Sequence, residues 1–148
     1  QRPEARVRID RMDAPERYEQ LIAYLNSQLP APVAQREGND SLEFIGGDPP
    51  EVVVVLTDST LTISEFAGVW ESPMKFAAKP RRVGALKWRR LPENSLLAAL
   101  AALIKGAREA RLSAFEICQY CGQRTPPELL HDSGVCLACT DQHSGAIH

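Results

Sequence analysis

The sequence predicts an α+β fold: an antiparallel sheet with two packing helices and a small four-cysteine unit at the C-terminal end. Three observations predict it. Two stretches, at residues 13–29 and 91–112, repeat their apolar residues at helical spacing. The stretch between them runs apolar or alternates in short β-branched segments, without the strand-and-helix repeat that a parallel sheet requires. All four cysteines fall within residues 118–139 as two Cys-x-x-Cys pairs.

The 148 residues are 44% apolar and 24% charged, a composition that fills an ordinary core and excludes a disordered chain. No apolar run approaches the roughly 18 residues of a membrane span. The chain opens on Gln1 and not Met, so it reads as a trimmed product whose compartment has to be argued from chemistry. Its net charge of −2 hides a segregation: residues 1–74 carry −7, residues 75–111 carry +8 and residues 112–148 carry −3. Such segregation marks either an anionic partner or acidic and basic segments that meet inside one fold.

Along the chain, "ARVRIDRM" reads as a short polar edge strand. "RMDAPERYEQLIAYLNSQLPAP" then reads as a helix capped by Asp13, with Glu16 three residues on and Pro15 in the first turn. Tyr18, Leu21, Ile22, Leu25 and Leu29 form its inward stripe, and Pro30 and Pro32 end it. A short strand follows at Leu42 to Ile45, closed by Gly46-Gly47. Val52 to Leu56, continuously apolar, suits a strand covered on both faces. Leu61 and Ile63 alternate with Thr60, Thr62 and Ser64, and "TDST" turns one strand into the other. "WESPMKFAAKP" gives no period and reads as irregular, with a further strand expected over Val83 to Leu91. "LPENSLLAALAALIKGAREARL" is the second helix, with Leu96, Leu100, Leu103 and Ala107 along one side; Gly106 in it predicts a kink, a close contact or an early stop.

The cysteines carry the sharpest signal. Cys118 and Cys121 form one pair, Cys136 and Cys139 the other. Two residues between thiols let both sulfurs of a pair face one point, and two such pairs complete a tetrahedron of about 2.3 Å Zn–S bonds. Gly122 and Gly134 stand where tight turns around an ion need positive φ. A redox centre predicts one Cys-x-x-Cys at a strand-to-helix junction of a βαβ unit. A disulfide staple predicts a small secreted domain without a core of its own. Neither describes this chain as well as structural Zn2+ does. Four thiolates leave no position for an activated water, so the ion is expected to hold structure and not to catalyse. His131, His143 and His148 read as solvated side chains or second donors beside the sulfurs, the alternative being that one replaces a cysteine.

"CQYCGQ" followed by "VCLACT" resembles the zinc-ribbon and treble-clef fingers, in which a Cys-x-x-Cys-Gly knuckle is completed by a second pair. The resemblance covers residues 116–148. It implies a treble-clef or zinc-ribbon-like finger over residues 113–148 attached to an α+β domain over residues 1–112, with the second pair opening a helix. It also leaves the task open, since such fingers serve nucleic-acid binding, protein interaction and scaffolding alike.

Outside the metal unit, Lys79, Arg81, Arg82, Lys87, Arg89 and Arg90 surround Trp88, an interleaving suited to phosphate contact with base stacking, and Lys105, Arg108 and Arg111 extend it. The structural alternative is a strand with Trp88 inward and cations outward. No Gly-x-Ser-x-Gly, phosphate-loop or His-Glu-x-x-His pattern occurs, and the polar "DSTLTISE" reads as the outer face of a hairpin. The sequence therefore predicts a non-enzymatic, zinc-binding protein-interaction module in a reducing, cytoplasmic compartment, with nucleic-acid binding through residues 79–91 and the finger as the alternative.

Overall fold

A computed structural model describes residues 5–130 and 134–139, with side chains from residue 15 onward. The chain opens with helix α1 (Ala5–Gln28) and continues through strands β1 (Val33–Gly38), β2 (Ser41–Gly46), β3 (Val52–Thr57) and β4 (Leu61–Glu65). The hairpin β5 (Gly68–Ser72) and β6 (Lys75–Ala78) leads to β7 (Arg81–Leu86) and helix α2 (Glu93–Ser113). Two short strands, β8 (Glu116–Ile117) and β9 (Arg124–Thr125), and a 3-10 turn (Pro127–Leu129) follow. The main sheet has the order β1-β2-β3-β4-β7 with every pair antiparallel, and β5-β6 forms a separate two-stranded ribbon inserted between its last two strands. The predicted class stands: an α+β domain with an antiparallel sheet, two packing helices and a C-terminal cluster of four cysteines.

The core lies on one face of the sheet. Phe44, Val54, Ile63 and Gly84 stand in one row across four strands, and Leu42, Leu56, Leu61 and Leu86 in the next alternate row. From the helices come Leu21 and Leu25 of α1, with Leu29 just beyond its end, and Leu96, Leu100, Ile104 and Ala107 of α2, all in the same buried cluster. The α1 stripe is as the periodicity predicts, with Tyr18 and Ile22 packed at its margin. Close approach depends on two glycines. A Cβ on Gly84 would stand 2.7 Å from Leu103 Cδ2, and one on Gly46 would stand 2.9 Å from both Leu29 Cβ and the Pro30 carbonyl oxygen. The apolar run of β3 follows from its central place: Val53, on the opposite face, is only 3% exposed and Val55 is half-buried.

Several expectations are corrected. Residues 5–12 are helical and not an edge strand, so Asp13 does not cap α1 and Pro15 lies inside it. Extending a helix adds a hydrogen bond per residue without a new nucleus, whereas a strand there would need a pairing partner. β1 was not expected. All its positions beyond Val33 are exposed, so it has no hydrophobic alternation, and pairing with β2 alone makes it a strand. The supposedly irregular stretch contains the β5-β6 hairpin. β7 starts at Arg81 and stops at Leu86, where Lys87–Arg90 form a turn that buries Trp88 and leaves its three cations exposed. Gly106 does not end α2, and the nearest neighbour of a Cβ there would be Val83 Cγ1 at 4.0 Å. Packing of Ile104 and Ala107 on either side carries the helix through it.

Candidate metal centre

The short β8-β9 pair brackets the first cysteine pair. Cys118 N–H donates to the Gln123 carbonyl at 2.9 Å, and Gly122 N–H donates back to the Cys118 carbonyl at 3.0 Å. Gly122 takes φ 75°, the left-handed conformation this knuckle demands. On the other side Gly134 takes φ 85° and its carbonyl accepts from Gln119 N–H at 3.0 Å, which draws the second pair against the first. Cys136 forms a bridge with Leu130, and a helical turn begins at Leu137 and contains Cys139.

The four cysteine Sγ atoms all lie within 4.8 Å of one another, and Cys121 Sγ is 3.9 Å from Cys136 Sγ. A tetrahedron with metal–sulfur bonds of about 2.3 Å has edges of about 3.8 Å, so the donor set fits a metal ion. Cys118 and Cys139 are buried, Cys136 is half-buried and Cys121 is exposed. The Cys118 sulfur receives three backbone N–H groups, from Cys136 at 3.3 Å, Tyr120 at 3.4 Å and Cys121 at 3.5 Å. The N–H groups of Cys121 and Cys136, ahead of Tyr120 and against the effect of burial, lower its pKa to about 6. Cys139 is pushed up to about 12, first by its hydrogen bond with the Cys136 side chain and then by burial. Its proton is thus held tightly until an ion displaces it.

Among its described residues the unit has almost no apolar core. Its buried cluster is Cys118, Cys139 and Val135, with Cys136 against it. A segment this small requires a metal or bridges to stay folded. His131, His143 and His148 lie outside the described residues.

The basic segment is divided by the fold. Arg81, Arg82, Lys87, Arg89 and Arg90 are exposed, but Trp88 is 1% exposed, donates its indole N–H to the Thr57 carbonyl at 2.9 Å and packs near Tyr18. Its ring is a core element, which corrects its expected part in base stacking. Arg89 lies 5.2 Å from the Trp88 ring centroid on its outer side. Some of the segregated charge meets inside the fold, Arg81 pairing with Glu65 at 2.9 Å and Arg108 with Glu51 at 2.8 Å.

Arg111 is the residue that sequence reasoning misplaced. Counted there with the basic patch, it is 2% exposed. Its Nε donates to the Pro50 carbonyl at 2.9 Å, its Nη1 to Glu128 Oε1 at 2.9 Å and its Nη2 to Glu128 Oε2. The guanidinium also lies 5.0 Å from the ring centroids of both Phe66 and Phe115. Glu128 belongs to the loop between the cysteine pairs, so this contact joins the metal unit to the sheet. Trp70 adds a second tie, donating to the Glu128 carbonyl at 2.8 Å, and Arg124 Nη2 donates to the Leu112 carbonyl at 2.6 Å. A signal was present: Leu96, Leu100, Ile104 and Ala107 form a buried stripe, and Arg111 occupies its next position.

No protein-family model, curated protein or solved structure matches this chain.

Proposed function

We propose that the chain is a non-enzymatic protein-interaction module, in which Zn2+ held by Cys118, Cys121, Cys136 and Cys139 stiffens a treble-clef-like finger against an α+β scaffold. Four soft sulfurs at tetrahedral spacing favour zinc, and a closed shell of four protein ligands gives it a structural role. A knuckle inside a β-hairpin, followed by a second pair at a helical turn, supports the treble-clef reading. Reduced thiolates favour a cytoplasmic setting. Among the described residues no helix is long and apolar enough to cross a membrane.

The observation that carries the interaction reading is where apolar surface is left exposed. Of the seven large hydrophobic side chains exposed among the described residues, six (Val69, Trp70, Met74, Ile117, Tyr120 and Leu129) lie on the β5-β6 hairpin or the finger. The Trp70–Glu128 hydrogen bond joins those two elements, and on it their apolar side chains are read as one composite surface. A photo-crosslinking residue at Met74, which is 93% exposed, tests this. Zinc-loaded protein should give discrete protein adducts that survive nuclease and disappear in Cys139→Ser. Adducts destroyed by nuclease would transfer the function to nucleic acid through the exposed arginines of residues 81–90, and no adduct would refute both.

A further inference from the structure

We propose that the groove between the β5-β6 hairpin and the finger is a docking site for an acidic peptide segment bearing apolar anchors. The proposal rests on the protein-interaction reading and names its partner class. A cleft of about 450 Å3 opens where the end of β4, the hairpin, the C-terminal end of α2 and the loop between the cysteine pairs meet. Its apolar lining comes from Phe66, Val69 and Pro127, and its volume suits one or two anchoring side chains. Its rim carries a modest cationic excess: Lys79 and Lys75, with side chains 64% and 72% exposed, face the single carboxylate of Glu71, while Arg81, 66% exposed, is paired with Glu65 at 2.9 Å in the cleft wall. Arg111 and Glu128, also in the wall, satisfy each other and add no net charge. Glu71 meets both hairpin lysines, at 3.4 and 3.9 Å, too loosely to neutralise them.

The apolar part of the lining selects the kind of partner. A peptide brings apolar side chains for Phe66, Val69 and Pro127 together with carboxylates for Lys79 and Arg81, whereas a nucleic-acid backbone brings phosphate and no aliphatic anchor. Opposite charges on rim and partner also set encounter rate and orientation. Because Pro127 and Glu128 lie between Cys121 and Cys136, metal binding shapes one wall of the groove.

The experiment is fluorescence anisotropy with the full zinc-loaded chain and three labelled probes: a short peptide alternating Asp with Leu and Phe, the same peptide with Lys for Asp, and an oligothymidylate of equal length. The acidic peptide alone should bind. Lys79→Glu and Val69→Asp, both at exposed positions, should each weaken it about tenfold without shifting the melting temperature, and chelation of zinc should abolish it. Equal binding of the acidic and basic peptides, preference for the oligothymidylate, or indifference to both substitutions overturns the assignment. Retention of nuclease-resistant crosslinks at Met74 alongside any of these would remove the groove and leave the interaction reading standing.

Discussion

Arg111→Met should lower the stability of the chain by about 3–5 kcal/mol, the cost of stripping one partner from a buried, hydrogen-bonded ion pair. The arginine side chain is 3% exposed and that of Glu128 9%, so water cannot replace the lost partner. Glu128 would lose both arginine hydrogen bonds in a buried site, the Pro50 carbonyl would lose its donor, and Phe66 and Phe115 would lose the cation between them. Urea denaturation measures the effect, and a loss under about 1 kcal/mol would show that the pair is solvated. The double variant Arg111→Met with Glu128→Leu should recover much of the loss, because it removes the unpaired charge together with the desolvation cost of the pair. None of the hydrogen bonds or ring contacts of Arg111 is made to a cysteine, so the variant should still bind one metal ion. That separates loss of the latch from loss of the metal.

Cys118→Ser should abolish stoichiometric metal binding and unfold the finger while leaving the sheet in place, and Cys139→Ser should do the same. Cys118 is the sulfur around which the unit is organised, accepting three backbone N–H groups from both halves of the site. Structural zinc contributes roughly 10–16 kcal/mol of apparent binding energy in small fingers, and three remaining thiolates hold the ion far less well. Among its described residues the finger has Val135 and its own cysteines for a core, so little there compensates. The main core, by contrast, is built from α1, the sheet and α2 and contains no cysteine. Metal analysis after dialysis gives the first readout and hydrogen exchange the second. Exchange should accelerate over residues 116–130 and stay slow in β2, β3 and β4. One equivalent of metal in either variant would refute the shared site.

How much of this was legible in advance depended on how local the cause was. The stripe of α1, the β3-β4 hairpin and the metal-binding spacing of the cysteines each arise within a few residues, where period, turn chemistry and donor identity act directly. β1 was illegible because only its pairing with β2 makes it a strand, and its exposed positions carry no pattern. The extension of α1 was hidden because Val7 and Ile9 imitate a strand over too short a stretch to decide.

Charge and aromatic residues were the hardest to place. Trp88 among six cations gave two incompatible readings, and Thr57, thirty-one residues earlier, decides between them by accepting the indole N–H inside the core. Arg111 lost its solvent because Pro50, sixty-one residues before it, and Glu128, seventeen after it, converge on one guanidinium. By itself the sequence determined the α+β class, the inward stripe of α1, that of α2 except that Ile104 and not Leu103 is its buried member, and the four sulfur donors, because periodicity and ligand spacing act over a few residues. Only the tertiary structure decided which cations reach water, how the finger is fastened and where apolar surface stays open, because those depend on groups that meet only when distant segments pack.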